Sequence, residues 1–530
     1  MVTGVEDDDM HLWFFRAQHL EEFAVAEWCS LCSGVRRQPS GPYGRETAPT
    51  PVGSVGDSDT SMASVQSQFS FRPLCWCVKS GSSPLYCSTG LTDVQARQIA
   101  SRSILLRYVM RLWVQGATHA ECAHRLLARA AGDALTAELL PDAGRRRHFR
   151  FVYSPCGKRV DMESQMAVFG QYAPFVRRLR DECGMQVALD APDAERIGIV
   201  EDHRDARQCT HRVLVGRWLA SGAYTRVGDA ERGRGVAYYA LPERPFIGTT
   251  SMDAELAFLM ANVAGVRAGD VVLDPYVGTG SILVAGAVMG AGVLLGADLD
   301  MRVLRGIGKV THRFIPCREN VDGNPPPGEP VADGTCAASR PAMCRNFAAY
   351  GIRRSQWPDV VRADMLQPMW AGRPGASAGW CDAIICDPPY GIREGTRRAA
   401  ASHKRIPSRR QATRRVALDE QLEALFHLAS HILIPGGRLV FWLPSLAPFT
   451  ADDLPACPAL RSFGPPSCQR LSGQLQRFLV TMVRTSDAMP SAVDSRDADG
   501  RPRAGARVAG HANLAARVFG VSARQEYNPS

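Results

Sequence analysis

Val271-Val-Leu-Asp-Pro-Tyr-Val-Gly-Thr-Gly-Ser281, followed by Ile282-Leu-Val-Ala-Gly-Ala-Val-Met-Gly290, decides the fold class of this 530-residue chain. Three apolar residues, a carboxylate, a glycine-rich turn and a run of small apolar residues read as strand, turn and helix. That is the opening unit of a doubly wound α/β sheet. Gly278 and Gly280 let the backbone come close to a ligand, and the helix that follows presents unpaired N–H groups there. Phosphate is one guest for such a loop. No Gly-Lys-Ser/Thr follows, however, and the lone Gly-x-Gly lacks the third glycine of a dinucleotide loop. Asp274 argues further against phosphate, because a carboxylate at the turn repels an anion and suits the cationic amino-acid end of S-adenosylmethionine. The expected ligand is that methyl donor, held by Asp274, Gly278, Thr279 and Gly280.

The acids downstream fall in the order such a sheet demands. Ala291-Gly-Val-Leu-Leu-Gly-Ala-Asp-Leu-Asp300 reads as the second strand. Its Asp298 stands 24 residues after Asp274, where ribose hydroxyls meet a carboxylate in such folds. Asp300 reads as a helix cap or a helper. Asp359-Val-Val-Arg-Ala-Asp364 reads as a third strand whose final Asp364 faces the adenine amine. Cys381-Asp-Ala-Ile-Ile-Cys-Asp-Pro-Pro-Tyr-Gly-Ile-Arg-Glu394 then reads as a buried strand ending in a stiff polar turn. Its two prolines fix φ and remove backbone donors, so carbonyls are exposed. A carboxylate, a proline carbonyl and an aromatic ring suit a planar base with an exocyclic amine: two acceptors for its N–H groups and a ring for its face. Asp387-Pro-Pro-Tyr390 resembles motif IV of the amino-methyltransferases. In isolation these four residues also describe a proline turn at a strand end, and each acid alone also describes a cap. Glycine turn, acid, acid and D-P-P-Y in that order support one another.

The resemblance extends to one family. Arg244-Pro-Phe-Ile-Gly-Thr-Thr-Ser-Met-Asp-Ala-Glu-Leu-Ala-Phe-Leu-Met-Ala-Asn262 is similar to the opening of the catalytic domain of the eukaryotic tRNA guanosine-10 N2-methyltransferase catalytic subunit. The match continues through Asp274–Ser281, Gly296–Asp300, Asn346-Phe-Ala-Ala-Tyr-Gly351 and Asp387-Pro-Pro-Tyr-Gly-Ile-Arg-Glu394. Echoes occur at Met10–Arg16, Ser101–Trp113 and Gly216–Gly222. The resemblance covers most of residues 10–485, most densely 244–300 and 381–395. It implies a Rossmann-like class I methyltransferase domain preceded by an N-terminal half with a THUMP-type RNA-binding module. It also implies tRNA as substrate and a small zinc-binding activator subunit as partner.

Composition agrees with a polyanionic partner: 62 Lys+Arg against 53 Asp+Glu give a net charge of +9. No stretch approaches the 18 or so apolar residues of a membrane span, and Glu6-Asp-Asp-Asp9 is unlike the start of a signal peptide. The sixteen cysteines are scattered, which suits reduced thiols in a cytoplasmic or nuclear protein rather than a disulfide framework. Cys29-Ser-Leu-Cys32 with Cys75-Trp-Cys77 has no regular second pair or nearby histidine, so no metal site is expected.

The chain divides unevenly. Residues 1–9 read as a disordered leader and 10–240 as a mixed α+β THUMP-like region with a disordered Ser/Gly/Pro-rich insert at 33–70. Residues 241–485 read as the methyltransferase domain, interrupted at 311–343 by a segment containing Asn324-Pro-Pro-Pro-Gly-Glu-Pro330, whose length points to a functional or a disordered loop and whose expected state is disorder, and 486–530 as a disordered tail. Two basic segments are set to meet RNA phosphates: Arg145–His148, and the run after D-P-P-Y comprising Arg393, Arg397, Arg398, Lys404, Arg405, Arg409, Arg410, Arg414 and Arg415. A solvated charged face is the alternative for both. The amphipathic run Gln421–Leu433, the strand Pro435–Leu443 and the last strand Gln476–Val483 are expected to be structural.

The residues predict methyl transfer to a planar exocyclic amine, with Asp387 and the Pro388 carbonyl accepting the amine's hydrogens and Tyr390 stacking on the base; the resemblance implies that this amine is N2 of a tRNA guanosine, at position 10. Arg393 and Glu394 would brace the turn. Other amino-methyltransferases, acting on DNA or on a protein glutamine, share the turn. A catalytically silent RNA-binding scaffold would not need both the glycine loop and D-P-P-Y.

Overall fold

The computed structural model describes residues 10–16, 21–35, 61–74, 84–130, 148–157, 159–203, 212–222, 235–307, 310–312, 342–366, 379–390, 397–399, 413–415, 418–445, 448–472 and 475–485. Contacts group the chain into two compact units, one comprising residues 1–24, 35–53 and 63–233, the other residues 25–34, 54–62 and 234–530. The leader at 1–9 and the tail at 486–530 lie outside the described residues. Among the described residues no helix is long and apolar enough to cross a membrane.

The first unit is built on one mixed sheet. Its strand order is Arg72–Pro73, Leu85–Ser88, His11–Phe15, Leu106–Gly116, Arg212–Ser221, Glu195–Asp202, His148–Cys156, Gln186–Val187. Pairing is antiparallel except that His148–Cys156 runs parallel to both Glu195–Asp202 and Gln186–Val187. Helices His119–Ala130 and Ala173–Cys183 bury Leu126, Phe175 and Leu179 with Trp113, Phe149 and Ile197 of the sheet. Helix Asp93–Ala100 starts on a capping box, the Thr92 side chain accepting from the Gln95 N–H and Gln95 reaching back to the Thr92 N–H. The mixed α+β expectation for this half therefore matches the structure.

The disordered insert at 33–70 needs correction at both ends. Helix Glu21–Val35 runs into it, and helix Met62–Gln68 lies inside it. Met62, Val65 and Phe69 fall at helical spacing and are all buried, as is Phe71, which stacks on Tyr86 with centroids 4.9 Å apart. Four apolar anchors among serines and glutamines were outweighed by the polar composition around them. Residues 36–60 lie outside the described set.

The second unit carries the doubly wound sheet. Its order is Asp359–Arg362, Val293–Asp298, Val271–Asp274, Cys381–Cys386, Leu433–Ser445, Leu475–Arg484, Leu460–Ser462, with Ser467–Ser472 added beside Leu475–Arg484. The first five strands are parallel, and Leu475–Arg484 returns antiparallel to its neighbours. The chain starts in the middle at Val271–Asp274, winds outward one way, then crosses to Cys381–Cys386 on the other side. The crevice of such a sheet opens at the carboxyl ends of those two strands. Helix Leu418–Ile432 buries Leu422, Leu425 and Phe426 against this sheet.

Two boundaries also differ from expectation. A cut at residue 240 misses that residues 25–34 fold with the second unit. Asn262 Nδ2 donates to Glu27 Oε1 at 2.7 Å, the Ser30 hydroxyl to the Asn262 carbonyl at 2.7 Å, and Arg438 Nη2 to Ser33 Oγ at 2.7 Å. These pairs lie more than 200 residues apart, beyond what any local pattern encodes. The interruption at 311–343 is ordered at its edges. Val310–His312 pairs antiparallel with Phe246–Gly248, and Ala342 and Met343 are buried. Residues 313–341 lie outside the described set.

Candidate active site

The glycine loop leaves Val271–Asp274 and enters helix Ser281–Val288. Gly278 and Gly280 take φ of +49° and +82°, backbone that a side chain would strain. At Gly280 a Cβ would also come within 2.9 Å of Met343 Sδ. The loop is supported from three directions. Gly278 N–H donates to Asp298 Oδ2 at 2.9 Å. The Thr279 and Ser251 hydroxyls share a 2.6 Å hydrogen bond. Buried Arg244 donates from Nη1 to Ser281 Oγ and from Nε to the Tyr239 carbonyl at 3.0 Å. Asn346 adds a clasp, pairing with both backbone groups of Phe246, its Oδ1 accepting at 3.0 Å and its Nδ2 donating at 2.9 Å. The segments around Arg244 and Asn346, noted in the sequence for resemblance alone, thus brace this loop.

Four of the expected acids converge on the crevice. Asp274 is buried and accepts from the Tyr276 N–H at 3.0 Å. Burial pushes its carboxyl well above the ordinary range, against the pull of that N–H, and the charges of Asp298 and Asp387 push it further. Asp298 accepts on both oxygens, from Gly278 and from the Asp300 N–H at 2.8 Å. Asp300 caps helix Met301–Leu304 and pairs with Arg302 at 2.6 Å, which is the cap reading. Asp364 accepts from the Leu366 N–H at 3.0 Å.

Tyr276, not singled out in the sequence, lies among these acids. Its hydroxyl is buried without a hydrogen-bond partner among the described residues. Burial pushes it well above the usual phenol range, and Cys386, Asp364, Asp274 and Asp298 add to the effect in that order. An orphaned buried hydroxyl beside three carboxylates and an open glycine loop fits a guest carrying both a cation and hydroxyls, as S-adenosylmethionine does. The signal was present as an aromatic alcohol inside Asp274-Pro-Tyr-Val-Gly-Thr-Gly280.

The Asp387–Tyr390 turn follows Cys381–Cys386. Pro388 is buried, and Asp387 is 28% exposed. The Tyr390 hydroxyl donates to Asp387 Oδ1 at 2.7 Å, and burial followed by the Asp387 charge holds that phenol far above its ordinary value. Arg477, from the strand expected to be purely structural, reaches this turn. Its Nη1 donates to the Tyr390 hydroxyl at 3.1 Å and lies 3.5 Å from Asp387 Oδ2. The other two runs expected to be structural form helix Leu418–Ile432 and strand Leu433–Ser445.

Of the basic run, Arg397 and Arg398 lie on strand Arg397–Ala399, paired with Thr413–Arg415 so that Arg397 faces Arg415 and Arg398 faces Arg414 in register. Arg393, Lys404 and Arg405 lie outside the described residues, as do Glu394, Arg409, Arg410 and 145–147. Cys29 and Cys32 are buried on helix Glu21–Val35, where burial, against the Arg438 charge, pushes the Cys29 thiol up to about 12. Cys75 and Cys77 lie outside the described residues.

The chain is similar to several known proteins. The family model described as RMKL-like methyltransferase domain (UPF0020) matches residues 242–309. The tRNA (guanine(10)-N(2))-methyltransferase TRMT11 of Xenopus laevis is 30% identical over 423 residues, 77% of this chain and 77% of that protein. Its Homo sapiens counterpart is 30% identical over 423 residues, 76% of this chain and 80% of that protein. Among solved structures, TrmN from Thermus thermophilus is similar at 16% identity and a TM-score of 0.36, over 90% of this chain and 99% of that one.

Proposed function

The chain belongs to the tRNA (guanine(10)-N(2))-methyltransferase TRMT11 family, and we propose that it methylates the exocyclic N2 of a tRNA guanosine, at position 10, using S-adenosylmethionine. The observation that carries this reading is the meeting of Asp274, Asp298 and the Gly278–Gly280 loop with the Asp387–Tyr390 turn at one crevice. S-adenosylmethionine, when bound, supplies an electrophilic methyl group on a sulfonium. Asp274 and the loop would hold its amino-acid end, Asp298 its ribose and Asp364 its adenine.

A guanine amine is a weak nucleophile because its lone pair is conjugated with the ring. Asp387 and the Pro388 carbonyl accept its two hydrogens, which orients the amine, draws its lone pair out of conjugation with the ring and eases the charge that builds as nitrogen becomes tetrahedral. Tyr390 offers its ring to the base, which has to leave its stack to reach the turn. The released proton goes to Asp387 or to water. Phosphate contacts from the arginines around 397–415 would add salt-dependent affinity without reading sequence.

A small zinc-binding activator subunit, which rests on the family resemblance, and a cytoplasmic or nuclear site of action, which rests on the sixteen scattered cysteines, belong to the same proposal. The chain alone is then expected to be poorly soluble or inactive, and full activity from the purified single chain would refute the activator. Asp387→Ala should lower turnover by at least about 10^3-fold while donor binding stays near wild type. Near-normal methylation by that variant would sink the assignment. Mass spectrometry of nucleosides from tRNA methylated in vitro identifies the base and atom.

A further inference from the structure

Arg477 brings a cation from a strand two places along the sheet into the Asp387–Tyr390 turn, and its Nε, its Nη1 and its guanidinium face are each engaged in a different way. One Nη1 hydrogen goes to the Tyr390 hydroxyl at 3.1 Å and the other faces Asp387 Oδ2 at 3.5 Å. The Tyr390 hydroxyl uses its single hydrogen on Asp387 Oδ1 at 2.7 Å and accepts from Arg477 on a lone pair. Carboxylate, phenol and guanidinium therefore close a triangle. Behind it, Nε donates to Gln469 Oε1 at 2.8 Å, and Cζ lies 4.1 Å from the centroid of the Trp442 ring. Trp442 is fully buried and is itself held by Nε1 donating to Met260 Sδ at 3.1 Å. Register accounts for the meeting, because Gln469 stands opposite Arg477 on one neighbouring strand and Trp442 stands opposite Leu479 on the other.

A side chain held by a buried aromatic face and an amide oxygen on one side is restrained on the other. We propose that Arg477 is a positioning residue for methyl transfer, fixing the Asp387 acceptor and the Tyr390 ring in a single mutual geometry. The inference rests on Asp387 and Tyr390 acting as set out under the proposed function. An amine held by two acceptors reacts only if those acceptors stay within a few tenths of an ångström of their places. Without Arg477, the Asp387 carboxylate loses one of its two contacts within this triangle, and its charge stands near Asp274 without the guanidinium. Lysine would return the charge but not the fork, since an ammonium on a flexible stem cannot engage Gln469, Tyr390 and Asp387 while stacking on Trp442.

The test uses the full-length chain, with its activator subunit where activity requires one, on tRNA transcripts with S-adenosylmethionine. Arg477→Met should lower kcat about 10- to 100-fold, the scale of one charge-assisted hydrogen bond, with the tRNA KM and donor affinity within about 3-fold of wild type. Arg477→Lys should recover to within about 10-fold. Tyr390→Phe also lowers kcat, and the two losses in the double variant should fall well short of multiplying, because one hydroxyl links both residues. An Arg477→Met enzyme within 3-fold of wild type overturns the inference. So does a loss shared equally by kcat, KM and thermal stability with fully multiplicative double-variant behaviour, which marks a purely structural role. Should Arg477→Met fail to fold, Arg477→Lys and Tyr390→Phe carry the same cycle. An active Asp387→Ala removes the functional reading itself, whereas a dead Asp387→Ala beside a normal Arg477→Met removes only the role of Arg477.

Discussion

Asp298→Asn replaces one oxygen at the support of the glycine loop. Both carboxylate oxygens accept backbone N–H groups, Oδ2 from Gly278 at 2.9 Å and Oδ1 from Asp300 at 2.8 Å. An amide has one acceptor oxygen, so its NH2 group must face one of these N–H groups. One bond is then lost and its donor meets a like dipole. A hydrogen bond to a charged group contributes about 1.5–3 kcal/mol, and about 1.4 kcal/mol is a factor of ten, so the loop geometry weakens by about 10- to 150-fold. Donor binding must restore the loop and also forgo a charged partner for the ribose. The expected result is a dissociation constant for S-adenosylhomocysteine raised at least about 10-fold by isothermal titration calorimetry, with a thermal melt confirming a folded variant. An unchanged constant in a folded Asp298→Asn protein refutes the reasoning, because neither the loop nor the ribose would then depend on that carboxylate.

Arg438→Met should destabilise the second unit by about 3 kcal/mol, since the buried guanidinium donates to the Val263 carbonyl at 2.7 Å and to Ser33 Oγ at 2.7 Å and covers the Phe463 ring. Urea denaturation measures it, and a loss below about 1 kcal/mol would show that helix Glu21–Val35 is not held by this residue. Asp93→Asn should flatten the acid limb of stability in the first unit. Burial alone would raise the Asp93 carboxyl, but hydrogen bonds from His11 at 3.0 Å and Arg111 at 2.9 Å, with their charges, bring it from 3.8 down to about 2. A folded value below the unfolded one stabilises above about pH 4 and is lost as pH falls towards 2, a contribution of roughly 2 kcal/mol. Urea midpoints at pH 7 and pH 3 check this, and equal slopes with pH in wild type and variant would contradict it.

Where a strand end is written within a few consecutive residues, the sequence was enough to place it. Asp274, Gly278, Gly280 and Asp298 fall at the ends of two adjoining parallel strands, and each strand announces its own end by an acid or a glycine after an apolar run. The helix at Met62–Gln68 was hidden for the opposite reason, its seam of buried residues being diluted by serine and glutamine. Asn346 shows an intermediate case. The segment around it was visible, but its task of pairing both backbone groups of Phe246 lies 100 residues away in the chain.

Arg477 was out of reach on principle. In Gln476-Arg-Phe-Leu-Val-Thr-Met-Val483 a strand pattern tells which residues share a face, but nothing about what stands beside the first of them. That neighbour is set by the antiparallel return of this strand along Leu433–Ser445, whose other side pairs with Cys381–Cys386, the strand that ends in Asp387. The return places the beginning of the last strand at the same edge of the sheet where the parallel strands end. A long cation at its start can then reach a turn 87 residues earlier in the chain. The proposed acceptors are thus spelled out by a motif, whereas the residue proposed to steady them is supplied by strand order.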